Sequence, residues 1–334
     1  MRKILLFATM CLMTLSMSAQ TLFETTKAAA QNGDMISQYN LGLYYAAGNM
    51  VEQDSAEAMY WWRRAADQGM IEAQHTLGLC YYDGKGVPQN YAQAMTWFRK
   101  AADKDYAPAQ YKIGNCYLNS SEAEQDYEKA VYWYRKAAEQ GNAAGQVCLG
   151  YCYDLGYGVE QDNKQAVYWY RKAAEQGELK GQNNLGSCYY LGEGLEQDNK
   201  QAVYWYRKAA ENGEPLAQTN LGKCYENGEG VKEDPKLAVY WYRKAAEQGD
   251  AEGQCCLAYC YDSGIGVDYD QEQAVFWYLK AAMQGHPRAQ YNLGYLFYQS
   301  NSYATEYWMR KAADQGYKSA VNWFEGNVPR ATSR

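Results

Sequence analysis

Seven tryptophans recur at a fixed interval. Trp61, Trp97, Trp133, Trp169, Trp205, Trp241 and Trp277 stand 36 residues apart, and Trp308 follows 31 residues later. A recurrence of that length admits few folds, because one supersecondary unit per period must bury its apolar face against copies of itself. Around the tryptophans the chain is nearly invariant: "AVYWYRKAAEQG" occupies 130–141, 166–177 and 238–249, and 202–213 differs only at Asn212. With each period closed at the Gly of "EQG", eight units run 34–69, 70–105, 106–141, 142–177, 178–213, 214–249, 250–285 and 286–316, the last five residues short. Residues 21–33 read as the second half of a unit and 317–325 as the first half of another.

Each unit spells two helices. In 142–177, Gly145, Leu149, Cys152 and Tyr153 fall on one helical face, and Gly156 and Gly158 then stop the helix. Asp162 followed by Gln165 has capping-box spacing, as do Asp54 with Glu57, Asn90 with Gln93, Asp198 with Gln201 and Asp270 with Gln273. Asp234 before Pro235 is another good helix start. In the second helix, Ala166, Trp169, Tyr170 and Ala173 form the stripe expected to be buried, while Tyr168, Arg171 and Glu175 point away. Bulky rings alternating with Ala suit ridge-into-gap packing, so the invariant stretch reads as packing hardware and not as a repeated active site.

Ala-x-x-x-Leu-Gly, Tyr, Gly-x-Gly-Val, Asp, Ala-x-x-Trp and Lys-Ala-Ala-x-x-Gly recur in order, as in "AQTNLGKCYENGEGVKEDPKLAVYWYRKAAEQG" at 217–249 and, with its final Gly replaced, "AQHTLGLCYYDGKGVPQNYAQAMTWFRKAADKD" at 73–105. This pattern resembles the Sel-one-like repeat family. Departures are "LNSSEAEQD" in unit three, Met50 for the second loop Gly in unit one, and the missing loop in unit eight. The resemblance implies an all-α, right-handed solenoid related to tetratricopeptide arrays, with half-repeats at both ends and the first helices lining a concave side. It implies an adaptor or scaffold; bacterial members often act at the envelope or in host contact, and penicillin-binding activity has been attributed to some.

The N-terminus, "MRKILLFATMCLMTLSMSAQ", has a basic start, an apolar run from Ile4 to Met17 and a small-residue exit at Ala19. That is the layout of a secretory leader, too short for a membrane span. Removing Arg2 and Lys3 with it takes the formal charge from −7 to −9. Such a chain has no electrostatic grip on nucleic acid or on anionic lipid. The expected organisation is a leader over 1–19, a cap helix over 20–33, eight repeats over 34–316, and a cap helix with tail over 317–334. The expected location is the periplasm, the cell envelope or the medium.

Cys80, Cys116, Cys152, Cys188, Cys224 and Cys260 share one slot of successive units, with Tyr44 and Leu296 in that slot at the ends. Neighbouring equivalent helices lie about 8–10 Å apart, beyond the roughly 7 Å reach of a disulfide, so buried thiols are expected. The family's cysteine-rich branch staples one unit to the next, but Ala173, Ala174, Gly181 and Gln182 occupy those positions here. Two histidines and no Cys-x-x-Cys give no zinc pattern. The Gly-x-Gly loops follow a helix and carry Glu193 or Glu229 between the glycines, which speaks against a phosphate cradle. No Ser-x-x-Lys, Gly-x-Ser-x-Gly or His-Glu-x-x-His string appears. Asp268, Asp270 and Glu272 lack calcium-loop spacing and read as a solvated helix start. No cofactor, no metal and no enzymatic activity are expected.

What varies from unit to unit is the outward stripe of the first helix. Its candidate partner-binding residues are Tyr39, His75, Tyr82, Tyr111, Tyr151, Tyr190, Tyr259, Tyr291, Tyr295 and Tyr298. Tyrosine gives a large amphipathic contact area at low entropic cost, so a protein or peptide partner is the expected ligand. The alternative is an envelope glycan or peptidoglycan stacked on the same tyrosines.

Overall fold

The structure is a computed structural model that describes residues 20–119, 126–298 and 302–327. The leader expected over 1–19, most of "LNSSEAEQD" and the tail after residue 327 lie outside the described residues. Residues up to Asp162 and those from Asn163 onward form two compact units. In the first, the helical stretch 20–31 is followed by Met35–Ala47 with Ser55–Asp67, Ile71–Asp83 with Tyr91–Ala102, Ala107–Asn119 with Tyr127–Glu139, and then Ala143–Leu155. The second opens with Asn163–Glu175 and continues with Leu179–Leu191 and Asn199–Glu211, Pro215–Asn227 and Pro235–Glu247, Ala251–Ser263 and Gln271–Met283, Pro287–Leu296 and Ser302–Asp314, and finally Lys318–Asn327. Each unit is thus an all-α solenoid stack. Within each unit, a second helix packs on the first helix of its own repeat and on that of the next where both lie in that unit.

Two contacts per second helix require two buried faces, and the sequence supplies them. Ala166, Tyr170 and Ala173 are buried, and Val167 and Ala174 join them on the second face. Trp169, expected in that stripe, is only half-buried, with the exposed ring of Tyr168 edge-on against it at 4.9 Å between centroids. The tyrosine ring in turn sets the spacing inside a repeat. A Cβ on Gly114 would lie 2.5 Å from the Tyr134 ring, and one on Gly222 would lie 2.5 Å from Tyr242. At Gly42, Gly78, Gly114, Gly186 and Gly222 the missing side chain therefore lets an aromatic ring lie against the first-helix backbone, while Gly294 faces Met309.

Hydrogen-bond ladders then tie each repeat to its successor. Gln146, Gln182, Gln218, Gln254 and Gln290 are buried. Within the units, Gln146 donates to the carbonyl of Ala138, Gln218 to Ala210 and Gln254 to Ala246, each at 3.1 Å. Those carbonyls lie in the last turn of the preceding second helix, which an α-helix leaves unsatisfied. A second ladder runs from arginine to tyrosine: Arg63 donates to Tyr81, Arg99 to Tyr117, Arg135 to Tyr153, Arg207 to Tyr225 and Arg243 to Tyr261 at 2.8–2.9 Å. Arg171 reaches Tyr189 at 3.1 Å in the same way.

The helix ends match their sequence signals, with one correction. Gly156 closes its helix at φ 72°, and Gly158, at φ 67°, lies so close to the backbone of Tyr127 that no side chain fits. Asp54, Asn90, Asp198, Asp234 and Asp270 accept first-turn amides as helix caps. The reciprocal half of the capping box is not formed, because the cap residue's own amide is already taken. Asp54 donates to the Tyr45 carbonyl, Asp198 to Tyr189 and Asp270 to Tyr261, pinning the loop to the first helix. Glu57 is left to accept from the Trp61 indole at 3.0 Å.

The shared cysteine slot is a packing site. Cys80, Cys152, Cys224 and Cys260 are buried, free thiols, and Cys116 and Cys188 are buried in the same position. Burial pushes the Cys152, Cys224 and Cys260 thiols up to about 12, so they stay protonated and inert.

Candidate binding surface

The exposed face of the first helices differs between the two units. In the first, most candidate residues are half-buried and fastened to their neighbours. Tyr39 and Thr76 lie 3.4 Å apart through their hydroxyls. The His75 ring sits between Phe98 and Tyr106, and burial drops its pKa to about 4, so it is neutral. Tyr82 accepts from Asn119 and carries the Lys112 ammonium 5.1 Å above its ring; Tyr111 has the same ammonium at 5.6 Å. Tyr151 alone of these is exposed, edge-on to Tyr157 at 6.1 Å.

In the second unit, Tyr190 donates to Glu229 of the next repeat's loop at 2.6 Å, which fixes it as an inter-repeat strut. Tyr259, Tyr295 and Tyr298 are exposed. Tyr291 is half-buried between Tyr295 and Tyr317, with centroids at 6.5 and 5.4 Å. Tyr298 meets the edge of Trp323 at 6.4 Å. The structure thus separates the ten candidates into exposed rings and structural ones.

It also adds residues that the stripe did not single out. Glu252, in the first turn of Ala251–Ser263, accepts from Lys223 at 2.7 Å, from His286 at 2.7 Å and from Arg288 at 3.2 Å. The His286 hydrogen bond foremost, with Lys223 and Arg288, holds the Glu252 carboxyl well below the usual range despite its burial. His286 caps the helix Pro287–Leu296 by accepting from the Ala289 amide through Nδ1. That leaves the ring proton on Nε2, facing Glu252. Arg288 further donates through Nε to Cys255 Sγ and through Nη2 to Cys256 Sγ, both at 3.2 Å.

Three consecutive first helices meet here because their slots complement one another. Glu252 and Arg288 occupy the second position of neighbouring helices, so opposite charges face each other across the groove. Cys255 stands where other repeats carry Tyr39, His75, Tyr111 or Tyr291, and the smaller side chain leaves room for the guanidinium. Beside this cluster lies a cleft of about 240 Å³ lined by Glu226, Cys256, Tyr259, Arg288, Asn292 and Tyr317. Two phenols buried in second helices reach its walls: Tyr242 donates to Glu226 at 2.5 Å, and Asn292 donates to Tyr278 at 3.0 Å. The one signal in the sequence was this alternation of charge at a single slot of successive units.

Among the described residues no group of three His, Cys, Asp or Glu is placed to hold a metal ion, and no helix is long and apolar enough to cross a membrane.

The Sel1 repeat pattern matches residues 36–70, 71–106, 107–142, 143–178, 179–214, 215–250, 251–286 and 287–317. Among solved structures, a protective antigen of uropathogenic Escherichia coli displaying an SLR fold is 38% identical, with 91% of this chain and 75% of that one covered and a TM-score of 0.60. A Sel1 repeat protein from Oxalobacter formigenes is 37% identical over 85% of this chain and 79% of its own, with a TM-score of 0.65. A signal-transduction ATPase with a tetratricopeptide repeat sensor, from Pyrococcus horikoshii, shares the fold at 14% identity, covering 92% of this chain and 51% of its own with a TM-score of 0.53. No curated protein matches at a significant level. Eight matched repeats, two-helix units and these structural relatives make the chain a member of the Sel1 repeat family.

Proposed function

We propose that this protein is an exported, non-catalytic scaffold that captures a protein or peptide on the exposed face of its first helices. Sel1 repeat proteins are generally non-catalytic scaffolds for protein–protein interaction, which supports the class of activity. The carrying observation is the division of labour inside each repeat. Second helices repeat the same buried Ala, Val and Tyr contacts, whereas the first helices present Tyr151, Tyr259 and Tyr295, and the turn after Pro287–Leu296 presents Tyr298, to solvent among residues that differ from unit to unit. A surface maintained for packing alone has no reason to vary beside a constant partner helix.

Export follows from the layout of residues 1–19, and it places the partner in the periplasm, the envelope or outside the cell. N-terminal sequencing of protein recovered from the envelope fraction tests it; a chain that still begins at Met1 overturns it. For binding, affinity capture from the cell envelope with wild type and with a Tyr259→Ala, Tyr295→Ala, Tyr298→Ala variant is decisive. The variant keeps its helical circular dichroism and loses its partner; undiminished capture removes this face as the site. Retention on a glycan array with no protein captured would instead favour a saccharide on the same rings.

A further inference from the structure

We propose that the cleft between the first helices of repeats six to eight takes a peptide carboxylate, with Arg288 as its anchor. This deepens the peptide-binding reading above and rests on it.

The anchor is held in place yet only partly used. Nε and Nη2 of Arg288 are taken by Cys255, Cys256 and Glu252, while Nη1 has no partner among the described residues. A guanidinium with one nitrogen unengaged on the wall of a cleft is a ready donor to an incoming carboxylate. The cysteine sulfurs suit this arrangement. Sulfur is a weak acceptor, and the two contacts fix the orientation of the fork. Burial keeps Cys256 protonated, pushing its pKa up to about 12.

The carboxylates around the cleft favour a ligand with one negative charge over one with two. Lys223 and Arg288 bring two positive charges to Glu252 on one side of the cleft. Glu226, on the cleft wall, already receives the Tyr242 hydroxyl at 2.5 Å. A phosphoryl dianion would bring two negative charges against both Glu226 and Glu252, whereas a carboxylate brings one. The remaining polar groups fit the chain that carries such a carboxylate. The Tyr259 and Tyr317 hydroxyls and the Asn292 Oδ1 have no hydrogen-bond partner among the described residues. They supply donors for the carboxylate and an acceptor for an adjoining main-chain N–H. A volume of about 240 Å³ holds the carboxylate and the residue bearing it, and leaves the rest of the peptide to run over the exposed rings.

The test uses the full mature chain, immobilised, and two pools of random N-acetylated hexapeptides that differ only at the C-terminus, free acid or amide. Captured peptides are read by mass spectrometry. The expected result is enrichment of the acid pool over the amide pool by roughly ten- to hundredfold, the span of one charged hydrogen bond. A chain-end carboxylate gives that preference alone; a side-chain carboxylate shows instead as Asp and Glu enrichment within the amide pool. Arg288→Gln removes either preference and Arg288→Lys retains part of it, with melting temperatures recorded for both so that a folding defect is not read as lost binding. Equal capture of both pools without acidic enrichment, or an undiminished preference in Arg288→Gln, overturns the carboxylate site while leaving peptide binding intact. Capture of neither pool by wild type overturns both.

Discussion

The second helices of this chain are close to copies of one another, while the first helices they embrace change their exposed residues at every repeat. The two helix types cover similar lengths and pack on the same neighbours, so the difference is not one of burial alone. It lies in where each contact points. A second helix sends Tyr134, Tyr206 or Tyr242 into the core, Arg135, Arg207 or Arg243 to the next repeat, and its C-terminal carbonyls to a buried glutamine. Nearly every slot has a partner in the next unit, so a change in one copy must be matched in another. The first helix meets that demand with Leu, Gly, Gln and the cysteine slot, and keeps its outward stripe free to diverge.

Single substitutions can break this contrast, and the largest effects belong to the rings. Tyr242→Ala should cost about 3–5 kcal/mol in chemical denaturation, since it opens a cavity and leaves Glu226 without its donor. Tyr240→Ala on the same helix, an exposed ring, should cost under about 1 kcal/mol. Equal costs would deny the division of labour. Gly222→Ala comes next, at about 1–3 kcal/mol, because its Cβ must displace the Tyr242 ring. A Gly222→Ala, Tyr242→Phe double variant recovers little of that loss, for the clash is with the ring and not its hydroxyl. Gln218→Ala should cost about 1–3 kcal/mol by orphaning the Ala210 carbonyl.

Smaller effects probe the variable face. Glu252 has a folded pKa below its unfolded value, so its contribution to stability is present above about pH 4.5 and is lost as the pH falls further. Thermal denaturation of wild type and Glu252→Gln should therefore differ at neutral pH and converge in acid. Parallel pH profiles would show that the cluster stores no such energy. Smallest of all, Met50→Gly should stabilise the chain by up to about 1 kcal/mol, because Met50 holds φ 66° where other repeats place glycine.

Much of the fold was legible in the sequence. The period gave the repeat, the Ala and Tyr spacing gave the buried stripe, and Gly156, Asp198 and Asp270 marked helix ends where the structure has them. The glutamine ladder was not read, although Gln38, Gln74, Gln110, Gln146, Gln182, Gln218, Gln254 and Gln290 recur every 36 residues, since the recurrence does not show what the side chain bonds until the preceding helix end is seen to lie against it. The capping box was overread for a related reason: local spacing cannot show that the Asp54 or Asp270 amide is claimed by a tyrosine carbonyl nine residues earlier. On the candidate face, the stripe found Tyr259 but not Arg288, Glu252 or His286. Those three sit in the first turn or at the cap of their helices, and their meeting depends on how neighbouring helices are staggered.

The central claim is that the constant helices hold the array together and the variable ones bind. Envelope capture with matched variants tests it most directly. Tyr204→Ala with Tyr240→Ala alters exposed rings on second helices, and Tyr259→Ala with Arg288→Gln alters the first-helix cleft. The account predicts full partner capture by the former and loss by the latter, at equal helicity. Loss by the former with full capture by the latter would contradict it.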